Sequence, residues 1–251
     1  MRLTALKELS LATNLYQPAR SLYRLLNQKQ LTRFRQELEF YSQLLKPESL
    51  CFDVGANIGE KAEILLKNGA YVVAFEPLPQ CQKELQVRCS YYHDRLKICQ
   101  NALGAEPGEA ELCVYPANAQ SSMMENWQDK PHHKITVPVT TLDMAIAQYG
   151  KPDYCKIDVE GYELNVLKGL SQAIPLISFE YHLGEREVQT ARSCLDYLSR
   201  FGDIEINITP STSMSFMFEK WVSLSEFLQF FPQHFEPFSE YAYGDIFVRY
   251  L

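Results

Sequence analysis

Glycine is scarce in this 251-residue chain, with eleven in all, against about 7% in an average protein. Collagen-like repetition and long glycine-rich linkers are therefore excluded. The seven cysteines are scattered and never spaced C-x-x-C, so neither a zinc ribbon nor a disulfide framework is encoded, and reduced, mostly buried thiols are expected. No apolar run approaches the ~18 residues of a membrane span, and no uninterrupted apolar segment follows Arg2 and Lys7 as in a signal peptide. A cytosolic location is expected by default. Basic excess is missing too: net charge is −7, and because residues 1–46 carry eight bases and three acids, the remainder stands at −12. Such a body repels a phosphate backbone, which argues against a nucleic-acid substrate.

What is present is ordinary globular material, 46% hydrophobic and 12% aromatic, enough for a full core. Phe34, Leu38, Tyr41 and Leu45 recur at steps of four, three and four, and Leu22, Leu25 and Leu26 form an earlier stripe. This spacing predicts a helical extension over residues 1–46, stopped before Pro47. From residue 50 short β-branched or aromatic runs alternate with helical ones, the signature of βαβ units and a parallel sheet. Strands are expected at 51–54, 71–75, 96–101, 154–158, 176–181, 204–208 and 245–249. Helices are expected near 60–67, 79–88, 142–148, 162–171, 187–200 and 224–231, the last opened by the capping box Ser223-Leu224-Ser225-Glu226. Segments 110–115 and 135–139 read as an added hairpin. The whole is an α/β, doubly wound domain over 47–251 behind the extension.

Four motifs carry chemistry. Asp53-Val54-Gly55-Ala56-Asn57-Ile58-Gly59-Glu60 follows the first strand and opens a helix, where glycines permit a tight turn and free N–H groups face a ligand. It is neither G-x-G-x-x-G nor a P-loop. Asp53 beside the glycines would oppose a pyrophosphate but suits an ammonium or a sulfonium, and S-adenosylmethionine carries both. Glu76, ending the second strand 21 residues after Gly55, is positioned to accept ribose hydroxyls in the crevice outside the strand ends. Asn101 and Ala102 end the third strand and border the place for an adenine. Each alone has a plainer reading as a turn or a solvated strand end; their order together favours a cofactor site.

The fourth motif runs Asp153-Tyr154-Cys155-Lys156-Ile157-Asp158-Val159-Glu160-Gly161-Tyr162-Glu163. Period-two geometry sets Lys156, Asp158 and Glu160 on one face beside the crevice. The acids suit a general base, a hydroxyl or amine anchor, or a metal ligand set, with Lys156 as electrostatic support and Glu163 favouring the helix start. Glu180 and His182 share a face of the next strand, and His182 is a second candidate base. Ser121 and Ser122 are within reach as substrate contacts, and His132 and His133 read as a solvated turn. Aromatics crowd the last third, from Phe216, Phe218 and Trp221 to Phe235, Phe238, Tyr241 and Tyr243, and several of them suit the wall of a pocket; Phe227 and Phe231 share a helix face and read as core.

The ordered set FDVGANIGE, AFEP, QNALG, TTLD, KIDVEGYELNVLKGL and ISFEYH resembles the FkbM family of S-adenosylmethionine-dependent methyltransferases over about residues 50–183. The resemblance implies a class I methyltransferase (Rossmann-like) fold, a seven-stranded, mostly parallel sheet in order 3-2-1-4-5-7-6 whose last strand is antiparallel, and O-methylation of a hydroxyl on a small molecule, sugar or natural product. It implies Asp53, Gly55, Asn57 and Gly59 in the cofactor loop, Glu76 on the ribose, and Asp158, Glu160 and Glu163 as an acid motif. Thr141-Leu142-Asp143 matches a further signature for which a helix-start role suffices. Two other classes remain at this point. A nicotinamide-dependent oxidoreductase shares the acid at the second strand tip but not Asp53, and a non-catalytic nucleotide-binding scaffold shares the fold. Metal requirement and oligomeric state are not legible.

Overall fold

The alternating runs resolve into a βα succession in the computed structural model, which describes residues 16, 18, 20, 22, 26–115, 121–124, 132–211, 213–231 and 243–251. Its first half holds α1 (Gln28–Leu44), β1 (Leu50–Val54), α2 (Glu60–Lys67), β2 (Tyr71–Phe75), α3 (Pro79–Arg88), β3 (Leu96–Cys99), β4 (Ala102–Leu103) and β5 (Gly108–Val114). Then follow β6 (His133–Thr140), α4 (Leu142–Tyr149), β7 (Tyr154–Ile157), α5 (Glu163–Lys168), β8 (Leu176–His182), α6 (Glu185–Leu198), β9 (Ile204–Pro210), β10 (Val222–Ser223), α7 (Leu224–Phe230) and β11 (Tyr243–Tyr250).

The main sheet runs β3-β2-β1-β7-β8-β11-β9-β10. Pairs from β3 to β8 are parallel, while β11 lies antiparallel to both β8 and β9. Ranked by chain order, the first seven read 3-2-1-4-5-7-6, as the resemblance implies. The sheet has eight strands, not seven, because Val222 and Ser223 add a two-residue antiparallel edge to β9 just before α7. A strand so short leaves little of its own edge open to pairing with another chain.

Burial on both faces explains why the central strands lack alternation: all of β7 and all but the first residue of β1 are buried. Phe52, Val54, Cys155 and Ile157 join one core with α4, α5, α6 and α7. Cys51 and Tyr154 join the other, with Phe40 and Tyr41 of α1 and the apolar face of α2. The extension thus covers a sheet face. Tyr41 and Leu45 of the expected stripe are buried, with Phe34 and Leu38 packed beside them. A buried hydroxyl chain pins α1 to the sheet, from Tyr41 Oη to Tyr154 Oη (3.3 Å) and on to Ser178 Oγ (2.7 Å). Leu22 and Leu26 of the earlier stripe are exposed and bury nothing; Leu25 lies outside the described residues.

The expected hairpin is present, β5 antiparallel to β6, and β4 joins it in a separate three-stranded sheet. The third strand therefore stops at Cys99 instead of running to Asn101: Cys99 accepts the Glu76 amide, and Ala102 leaves to pair with Val139. All seven cysteines are buried, and none is in a disulfide. Among the described residues no helix is long and apolar enough to cross a membrane. Phe227 and Phe231 are core residues, stacked at 5.3 Å. Phe216 also packs inward, against Phe40, Phe247 and Trp221, and Phe218 packs against Phe227 and Phe230, so these three pack with other aromatics instead of walling the site. Phe235, Phe238 and Tyr241 lie outside the described residues.

The capping box at α7 forms as the sequence predicts: the Glu226 amide donates to Ser223 Oγ (3.3 Å) and the Ser223 amide to Glu226 Oε2 (2.9 Å). Ser223→Ala is expected to lower stability by about 1 kcal/mol in urea denaturation. An unchanged midpoint would mean that packing alone holds this helix.

Candidate active site

At the carboxyl ends of the parallel strands the glycine loop folds back over its neighbours, with the Gly55 and Ala56 amides donating to the Phe75 carbonyl (3.0 and 3.1 Å). Gly55 has φ of +78°, and a Cβ there would collide with the Asp158 carbonyl oxygen. Only glycine lets the tips of β1 and β7 come this close. Asn57 is also left-handed (φ 48°). Its amide donates to Glu76 Oε2 and that of Leu78 to Oε1, both at 2.8 Å, so Glu76 is tied to the loop it faces.

A cavity of about 260 Å³ opens here. Its wall brings together Gly55, Asn57, Glu76, Asn101 and Ala102 of the expected cofactor set. The same wall carries Asp158, Glu160 and Glu180 of the expected catalytic set, roofed by Ser121, Ser122 and Met123. Gly59 is not on this wall. With φ of +79° it stands at the N-cap of α2 against Leu85, a structural position. Asp53 faces a second cavity, of about 340 Å³, across the loop. Gly55, Asn57, Asp158 and Glu180 border both cavities.

Asp53 is fully buried, and neither carboxylate oxygen has a hydrogen-bond partner among the described residues. Burial raises its pKa; the Lys156 and Lys61 charges pull it back, and Asp158 adds to the rise. Lys156 is 5% exposed and bonds Asp158 Oδ2 at 2.6 Å. Burial works against its ammonium, but Asp158, Asp245 and Asp53 outweigh it and push the pKa up. The pairing with Asp158 expected of Lys156 is thus present. Asp245, outside all four motifs, also joins this charge cluster. It pairs in register with Glu180 and Thr209 and borders the second cavity. An acid inside the apolar run Gly244-Asp245-Ile246-Phe247-Val248 was the available signal.

The strand ends at Ile157, so period-two geometry does not reach Glu160. A loop aims it instead: Glu160 has φ of +55°, and its carbonyl accepts from Ser122 Oγ at 2.8 Å. Glu163 turns back and accepts from the Gly161 and Val159 amides (3.0 and 3.3 Å), clamping that loop. Burial raises its pKa to about 7 against the pull of these amides. It stands outside the larger cavities. Glu180 lies well above the usual carboxylate range, through burial first and then the charges of Asp158, Glu160 and Asp245, with Lys156 acting the other way. His182 is not on the wall of either large cavity; its Nε2 stands 3.2 Å from Glu180 Oε2. His132 packs on Tyr115, away from the site, and of the described carboxyl-terminal aromatics only Tyr243 reaches a cavity wall.

The topology is that of the class I methyltransferase fold. A family model described as the methyltransferase FkbM domain matches residues 53–224. The chain belongs to this family, whose methyl donor is S-adenosylmethionine. It is similar to the hexuronic acid methyltransferase AglP of Haloferax volcanii, with 28% identity over 142 residues, 55% of this chain and 57% of that one. The chain thus spans a little over half that relative's length. Among solved structures it resembles an O-methyltransferase from Bacillus cereus in complex with SAH (9% identity, 88% and 81% of the two chains, TM-score 0.47). Another is a TehB-like SAM-dependent methyltransferase from Corynebacterium glutamicum (11% identity, 93% and 98%, TM-score 0.46).

The donor atoms fit this cofactor. Asp53 Oδ1 and Oδ2, Asn57 Oδ1 and Ser121 Oγ are buried and lack hydrogen bonds among the described residues, and buried acceptors of this kind require donors. The ammonium and ribose hydroxyls of this cofactor are donors of the kind these atoms lack. Burial raises Glu76 to about 7, the Leu78 and Asn57 amides opposing and Asp53 adding to the rise. In the free protein, stability therefore falls as pH climbs from about 4.5 through about 7, since the folded carboxyl prefers its proton. Glu163 shares that window. Ligand hydroxyls donating to Glu76 favour its ionised form. Cofactor binding is expected to release protons near pH 6.5 and to tighten with pH up to about 7, read by calorimetry in buffers of differing ionisation enthalpy. Glu76→Gln should lower the release by the share due to Glu76; a release unchanged in this variant contradicts the assignment.

Proposed function

We propose that the protein transfers a methyl group from S-adenosylmethionine to a hydroxyl of a small or carbohydrate-linked acceptor, with Asp158 as the base. The observation that carries this reading is that Asp158 and Glu180 stand on the wall shared by the two cavities. A cofactor held across the glycine loop meets an acceptor there. Glu76 is proposed to hold the ribose, Asn101 and Ala102 to border the adenine, and Gly55 and Asn57 to form the cradle. Asp53 is proposed to receive the ammonium. When bound, the cofactor supplies a methyl group on a sulfonium, which leaves as a neutral thioether.

Asp158 accepts the hydroxyl proton as the new C–O bond forms and the C–S bond breaks. Lys156, 2.6 Å from Asp158 Oδ2, fixes the carboxylate's orientation and leaves Oδ1 for the acceptor. His182 is set back behind Glu180, which favours Asp158 over it. Aligning acceptor oxygen, carbon and sulfur supplies much of the rate. The hexuronic acid acceptor in the name of the Haloferax volcanii relative supports a sugar acceptor here.

Asp158→Asn is expected to lower kcat about 100-fold or more while the dissociation constant for S-adenosylhomocysteine stays within about threefold; an unchanged kcat removes Asp158 as base. Asp53→Ala is expected to abolish cofactor binding by calorimetry. Normal binding in that variant overturns the loop assignment.

A further inference from the structure

Behind the shared wall, Glu160, Glu180 and His182 each turn one ligand atom toward a common point, all within 4.8 Å of one another. All three are half-buried. Two carboxylate oxygens and one imidazole nitrogen at this separation form one side of a coordination sphere, and the mixed N/O set suits a first-row divalent cation better than magnesium or calcium, which prefer oxygen alone. Two features beyond the spacing favour a cation at this point. Among the described residues Glu180 Oε2 is buried and accepts no hydrogen bond, and His182 Nε2 stands 3.2 Å from it. Acid also outweighs base around it, because Asp158, Glu160 and Asp245 all press on Glu180, with Lys156 opposing. Arg186, which borders the small pocket behind with Glu180 and His182, reaches Met124 Sδ at 4.0 Å.

We propose that Glu160, Glu180 and His182 form a divalent metal site of the Mn²⁺ class. Glu160 and Glu180 also border the first cavity, so the coordination positions opposite the protein ligands face the place where a methyl acceptor approaches. A hydroxyl bound there loses its proton more readily, since the cation stabilises the alkoxide. This catalytic consequence rests on the methyl-transfer reading; the binding of the metal does not.

The test is Mn²⁺ added to chelator-treated protein, followed by loss of the free-ion electron paramagnetic resonance signal. One equivalent per chain is expected to bind, weakened about tenfold or more in His182→Ala and in Glu180→Gln. Glu187→Gln, an acid beside the pocket but outside the set, keeps the affinity. S-adenosylhomocysteine binding by His182→Ala reports that the variant is folded. Failure to bind one equivalent, or binding that both variants retain, overturns the site. Mn²⁺ bound as expected with no methyl transfer to any hydroxyl acceptor would sustain the metal site and sink the acceptor reading instead.

Discussion

Carboxylates gathered where water is scarce are the constraint on which the site depends. Asp53 is completely buried without a hydrogen-bonding partner among the described residues, and burial raises Glu76, Glu180 and Asp245 as well. Isolated buried charge is costly, so such groups keep a proton or face a cation. Lys156 answers part of this demand through Asp158. A ligand that brings its own positive charge would meet the remainder, and that property distinguishes a sulfonium cofactor from a dinucleotide.

The backbone concentrates these groups. Parallel strands deliver Asp53, Glu76 and Asp158 to one end of the sheet, and the antiparallel β11 brings Asp245 alongside Glu180 from the opposite chain direction. Gly55 then lets the β1 loop rest on the β7 tip, so the two cavities meet at a wall made of reactive side chains. A larger residue at Gly55 would separate the tips. Glu163 clamps the 158–161 loop from behind, which makes the aim of Glu160 a property of local hydrogen bonds and not of strand periodicity.

The fold was legible because its signals are local. Short apolar runs and helical spacing marked the strands and helices, and the capping box at Ser223 marked the start of α7. The two-residue β10 was not legible, since Val222 and Ser223 become a strand only by lying along β9. Among site residues, Gly55, Asn57, Glu76, Asn101, Ala102, Asp158, Glu160 and Glu180 converge on one cavity. Asp53 came out on the far side of the loop because alternation along β1 turns it with Cys51, away from Phe52 and Val54. Asp245 was missed because its importance comes from antiparallel pairing across more than sixty residues of sequence. His182 read as a strand-tip base, yet its distance from the cavity depends on how Glu180 packs in front of it. Such outcomes follow from tertiary register, which short motifs do not encode.

The most direct measurement is a crystal structure of the protein with S-adenosylhomocysteine. The account predicts the ribose hydroxyls on Glu76, the adenine beside Asn101 and Ala102, and the amino group within hydrogen-bonding distance of Asp53, with the ligand crossing Gly55 between the two cavities. A ligand seated elsewhere, or one that leaves Asp53 without a polar contact, would contradict it.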